Sequence, residues 1–154
     1  GEDGVQRMYL SGRDVTEAIR ENSVSALASQ VAALPAVRDF LLDFQRRQAR
    51  ERDVVMDGRD IGTVVLPRAG VKIFLTAAPE ARAERRLLEL RQRGQEAEFD
   101  AVLSGILRRD EQDRTRAVAP LRQAEDAVLL DTTRLDRAGS LEALLAIVRE
   151  RLPQ

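Results

Sequence analysis

The chain has 154 residues, 44% hydrophobic and 33% charged, with a formal net charge of -1. That suits one globular domain with a core and leaves no global electrostatic drive toward nucleic acid or an anionic membrane. Cysteine and histidine are both absent, which excludes disulfides, thiolate nucleophiles, Cys-type zinc sites, Ser-His-Asp triads and imidazole acid–base catalysis.

Carboxylates, arginines and hydroxyls remain, and phosphoryl transfer fits them because its catalysis is mostly positioning and charge neutralisation. An aromatic content of 3% argues against a base-stacking platform for RNA. No apolar run approaches eighteen residues and no signal peptide opens the sequence, so a cytoplasmic protein is expected.

Met8-Tyr9-Leu10 reads as the end of a short strand that turns into a helix near Val15 to Glu21, with Asp14 as its N-cap. A second helical run covers Ser25 to Leu34, and Pro35 opens a longer helix through Arg50. Val37, Phe40, Leu41 and Phe44 fall at helical spacing as the core stripe of that helix. Val54-Val55-Met56 then forms an apolar strand that exits into Asp57-Gly58-Arg59-Asp60, at the kind of strand end where open α/β sheets bind ligands. Val71 to Leu75 is a second strand, and Ala127 to Leu130 a third, all expected to be buried and parallel.

Pro79 starts a helix to about Arg93, with Ala83, Leu87 and Leu90 inward and Gly94 as the stop. A highly charged helix follows from Phe99 to about Arg116, with few apolar anchors and the look of a movable lid. Ser140 is expected to cap a final helix whose apolar face is Leu141, Leu144, Leu145 and Val148. The order of elements gives an α/β fold with a polar lid.

Within the turn, Arg59 can grip a phosphate with its planar fork, while Asp60 can accept hydrogen bonds from an amine, amide or hydroxyl. Gly58 would let the backbone approach a ligand closely. The alternative is an ordinary turn with a local ion pair. Arg109, Asp113 and Arg116 lie at i, i+4 and i+7, so a helix places both arginines on one face with the carboxylate between them. They would either form a solvated ion-pair face or close over phosphates, with Asp113 orienting the two guanidinium groups or taking a ribose hydroxyl. Ser29 and Arg38 taken singly are surface polar groups, and Arg85 and Arg86 an exposed helix face. Lys72 is the only lysine, so individual arginines have to be argued from position.

The run from Asp57 to Val65, followed by Val71 to Leu75, Arg109-Asp110, Asp113-Arg114 and Arg116-Ala117-Val118-Ala119-Pro120-Leu121, closely resembles bacterial cytidylate kinase. Ala28 to Ala33 and Pro35 to Arg38 resemble the family's insert in the monophosphate-binding region. The resemblance covers essentially the whole chain. It implies a nucleoside monophosphate kinase of the P-loop type, with a parallel sheet flanked by helices: about 1–50 as the insert, 51–93 and 117–154 as the core, and 94–116 as the lid. The implied reaction moves the γ-phosphoryl group of ATP to CMP or dCMP with Mg2+. By the same resemblance Ser29, Arg38 and Asp60 read the cytosine, Arg59 binds the substrate phosphate, Asp113 contacts substrate, and Arg109 and Arg116 act on the phosphates. A monomer without nucleic-acid or membrane partners is expected.

The family's N-terminal strand and phosphate loop are not in this sequence: no G-x-x-x-x-G-K-[ST] occurs, and Lys72 lies in a strand-like run. With Gly1-Glu2-Asp3-Gly4 at its start, the sequence reads as the tail of a longer enzyme, expected to be inactive alone and to expose strand edges. The competing expectation is a non-catalytic nucleotide-binding or interaction fragment. A kinase of another base preference is disfavoured by the set Ser29, Arg38 and Asp60.

Overall fold

A computed structural model describes residues 6–21, 24, 27, 31 and 34–152. The chain divides into two compact units, Gly1–Asp53 and Val54–Gln154.

In the first unit the chain doubles back instead of passing from strand into helix. Strands β1 (Tyr9–Leu10) and β2 (Arg13–Asp14) pair antiparallel, joined by Ser11 and Gly12 at φ 50° and 80°, the two left-handed residues of a type I′ hairpin turn. Asp14 is not a helix cap: it lies in β2, and the expected helix is only a 3-10 turn at Ala18–Arg20 that starts after Glu17. The Asp14 carboxylate accepts the Thr16 N–H at 2.9 Å, and the Thr16 hydroxyl accepts the Met8 N–H at 2.9 Å, so both serve the hairpin. The helical run from Ser25 to Leu34 falls largely outside the described residues, of which Val24, Leu27 and Val31 are helical.

Helix α1 (Pro35–Glu51) begins at its proline as expected. Its apolar stripe is not a core, for Phe40 is 68% exposed and Leu41 and Phe44 are exposed as well. Periodicity marks a face that can be buried, but burial needs a covering layer, and no residue of α1 is buried. The Phe44 ring instead has the Arg47 guanidinium 5.9 Å from its centroid.

In the second unit, Val54 to Met56 forms no strand and Val55 is fully exposed. A strand exists only where a neighbour completes its ladder, and among the described residues β3 (Ile73–Thr76) pairs with β4 (Val128–Asp131) alone. That pair is parallel, as expected, with Ile73 opposite Val128 and Thr76 opposite Asp131. The strands are half-buried rather than buried, since Leu75 and Leu129 are each 56% exposed on a two-stranded sheet.

Helix α2 (Pro79–Gln92) buries Ala83 and Leu90, and Leu87 is half-buried beside them. It stops as the sequence indicates: Gly94 adopts φ 70° and the Gln95 N–H reaches back to the Leu90 carbonyl at 2.9 Å. Helix α3 (Phe99–Thr115) packs against α2. Helix α4 (Arg137–Arg151) is capped by Asp136, whose carboxylate accepts the Gly139 N–H at 2.7 Å. Ser140 is thus inside the first turn, donating to the Asp136 carbonyl at 2.6 Å. Of the apolar face foreseen for α4, Leu144 and Val148 are half-buried, whereas Leu141 and Leu145 are exposed. No described helix is long and apolar enough to cross a membrane.

Candidate functional site

The turn Asp57 to Asp60 leads into a π-helical turn at Ile61–Val65. There the Asp60 carbonyl accepts the Val64 and Val65 N–H groups at 2.8 and 3.2 Å. Val65 is 4% exposed, so its burial fixes the end of the turn and thereby the direction in which Arg59 and Asp60 leave it. Gly58 has a packing reason of its own, because a Cβ there would meet Ile61 Cγ1 at 3.0 Å.

Arg59 and Asp60 each reach a partner at the end of α3. Arg59 Nε donates to Asp113 Oδ2 at 2.7 Å, and Arg116 Nη2 lies 3.8 Å from Asp60 Oδ1. The two bridges run in opposite polarity, cation to carboxylate in one and carboxylate to cation in the other. Asp113, Asp60 and Arg116 are well covered, with side chains 12%, 14% and 32% exposed, whereas Arg59 is 44% exposed. Such shielding strengthens the pairs relative to surface salt bridges.

Helical spacing misplaces part of this set. Arg116 lies beyond the last turn of α3 and has left helical geometry at ψ 138°, so it does not share a helix face with Arg109. Its Nε donates to the Ala119 carbonyl at 2.5 Å, and Leu121 N–H returns to the Asp113 carbonyl at 2.7 Å. The segment after the helix thus folds back over Asp113. Asp113 holds Arg59 rather than orienting Arg109 and Arg116. Arg109 is exposed on α3. Arg38 is half-buried on α1, in the other unit, and Ser29 lies outside the described residues.

Chemically, the cluster offers guanidinium donors held in place by carboxylates. Arg59 spends Nε on Asp113, leaving the outer edge of its fork for a ligand. Arg116 Nη2 is buried without a hydrogen-bond partner among the described residues. A buried donor left in that state costs about 1–3 kcal/mol until an acceptor arrives. An anionic oxygen would supply one. Among the described residues no three carboxylates, histidines or cysteines converge in a way that could hold a metal ion.

Two contacts were not legible from spacing. Arg82 of α2 forms a two-pronged pair with Asp110 of α3, at 2.9 and 2.5 Å, and its hydrogen bonds hold the Asp110 carboxyl below the usual carboxylate range. Arg85, read as part of an exposed face, donates to the Thr132 and Leu135 carbonyls at 2.5 and 3.1 Å. Both join residues 28 to 50 positions apart, beyond the reach of any helical period. The only available signal was an arginine on the flank of an otherwise apolar helix face. Lys72, whose side chain is 7% exposed, donates to the Pro67 carbonyl and to Asp126.

A family model described as cytidylate kinase matches residues 2–150 of this chain. Cytidylate kinase of Geobacter sulfurreducens is 50% identical over 149 residues, which is 97% of this chain and 64% of that protein. Cytidylate kinase of Carboxydothermus hydrogenoformans is 51% identical over 148 residues, 96% of this chain and 66% of that protein. That of Pseudomonas aeruginosa is 51% identical over 140 residues, 91% and 61% of the two chains. The chain therefore spans just under two thirds of the length of these relatives.

Proposed function

This chain belongs to the cytidylate kinase family, and we propose that its strand-exit turn and the end of α3 bind the phosphate of CMP or dCMP, the acceptor of the ATP γ-phosphoryl group. The observation that carries the reading is the crossed pairing of Arg59 with Asp113 and Arg116 with Asp60, which leaves a buried Arg116 donor unsatisfied. Two guanidinium groups brought together at one end of a helix are a phosphate site in want of its anion.

In this reading Asp113 fixes the Arg59 fork by its Nε, and the two Nη groups take two phosphate oxygens. Asp60 accepts the exocyclic amine of cytosine, and Ser29 and Arg38 also serve base recognition. A site built on such hydrogen bonds discriminates strongly, because a base with the wrong pattern leaves buried polar groups unpaired. Arg116 and Arg109 neutralise charge that develops as the phosphoryl group moves, which is where donors act most effectively on rate. Magnesium would enter with ATP and supply charge neutralisation on the phosphates. Among the described residues no three carboxylates converge to form a separate site for it.

The 154 residues contain no G-x-x-x-x-G-K-[ST] sequence. A protein of these residues alone is therefore proposed to bind the monophosphate without phosphorylating it. Calorimetric titration with CMP, UMP and AMP tests the reading. CMP should bind at least about tenfold more tightly than the other two, and equal affinity for all three would overturn the assignment of cytosine recognition.

A further inference from the structure

The last two turns of α3 carry the proposed site, yet they bury no apolar side chain of their own. Leu107 is 48% exposed, and from Arg108 to Thr115 no side chain is apolar. Asp113 is the only buried residue of α3. The rotation of this segment about the helix axis then rests on polar contacts, and among the described residues two of them reach elements outside α3 and its continuation. One is Arg59 to Asp113, part of the site already described. The other is Arg82 to Asp110.

Arg82 is anchored from both sides. Its Nε donates to the carbonyl of Ala77 at 3.0 Å, a residue 7% exposed that directly follows β3. Its two Nη atoms meet the two oxygens of Asp110 at 2.9 and 2.5 Å. Three donors directed at two elements fix a planar guanidinium, and a planar fork fixes the carboxylate that faces it. Asp110 stands three residues before Asp113, hence on the same helix face one turn away. The Arg114 pair with Asp110 is longer, at 3.8 Å, with the arginine 61% exposed, and as an i, i+4 pair within α3 it does not tie the helix to another element.

We propose that Arg82 and Asp110 are positioning residues that fix the rotation of the end of α3, so that Asp113 holds the Arg59 fork toward the substrate phosphate. This rests on the phosphate-site reading above. Neither residue touches the ligand. The effect passes from the exit of β3 through Arg82 and Asp110 to Asp113 and then to Arg59. The charge of Arg59 also helps keep the Asp110 carboxyl below its usual range, after the larger effects of Arg82 and Arg114, as expected of groups sharing one small field.

Two variants of the full chain test the proposal. Arg82→Lys keeps the charge and loses the fork, and Asp110→Asn keeps the shape and loses the charge. The first readout is water exchange of the Arg59 Nε–H by nitrogen-15 NMR, which needs no ligand. The second is CMP affinity by calorimetry, also measured for Arg82→Lys in an Asp113→Asn background, with circular dichroism to confirm folding. Each variant should speed exchange of the Arg59 Nε–H and weaken CMP binding about tenfold, and Arg82→Lys should weaken it no further once Asp113 is replaced, as coupled residues behave. Unchanged exchange and affinity in both folded variants would overturn the proposal, as would a full additional loss in the Asp113→Asn background. If the unsubstituted chain fails to bind CMP while Arg59 exchange still responds to Arg82→Lys, the positioning pair stands and the phosphate-site reading falls.

Discussion

Helix α2 and the last two turns of α3 belong to the same unit, but they are held in opposite ways. Helix α2 buries Ala83 and Leu90. The end of α3 buries a carboxylate, Asp113, and is tied down by guanidinium groups from Arg59 and Arg82. Apolar burial is strong and non-directional, so it secures a helix without prescribing the aim of any one atom. Forked ion pairs prescribe the aim, and they also allow exchange. A phosphate can take the Nη groups of Arg59 and the Nη2 of Arg116 while Asp113 keeps its hydrogen bond to Arg59 Nε, so that the covered carboxylate stays paired. The difference separates the part of the unit that has to persist from the part that has to change partners.

The contrast is sharpest if each region is broken alone. Leu90→Ala should lower unfolding stability by about 3 kcal/mol in urea titrations, through lost burial and a residual cavity, while the folded fraction keeps its CMP affinity. A matching loss of affinity would show that the apolar contact also aims the site. Arg59→Lys should do the reverse. Without the bidentate fork, CMP affinity should fall by about 2 kcal/mol in calorimetry, with stability altered by less than about 1 kcal/mol. Unchanged CMP affinity would remove Arg59 from the phosphate site.

The smallest effect separates the two regions by pH. Asp110 has its folded pKa depressed, chiefly by the Arg82 hydrogen bonds. A depressed carboxylate contributes stability that is fully present above its unfolded pKa of about 3.9 and is lost as pH falls through the folded value. As pH falls below about 4, the urea midpoint should therefore drop more steeply for the unsubstituted chain than for Asp110→Asn. Parallel curves would mean that the pair contributes nothing to the folded state.

These regions also differ in how far the sequence reveals them. The start of α1 and both limits of α2 were legible because Pro35, Pro79 and Gly94 act locally, and so was the parallel pairing of β3 with β4. Strand formation at Val54 to Met56 was not, because alternation and β-propensity cannot supply a neighbour. Burial of Phe40 and Phe44 failed for the same reason. At the site, residue types were legible and partners were not. Arg59 and Asp113 are 54 positions apart, and no helical period links them. Arg116 was placed on the face of a helix that ends one residue before it.

The central claim is that the crossed guanidinium groups await a phosphate, and the most direct test compares CMP with cytidine in calorimetric titrations of this chain. CMP should bind at least about 30-fold more tightly than cytidine, the order of one charge-assisted, bidentate interaction. Equal affinities, or no CMP binding in a folded chain, would contradict it.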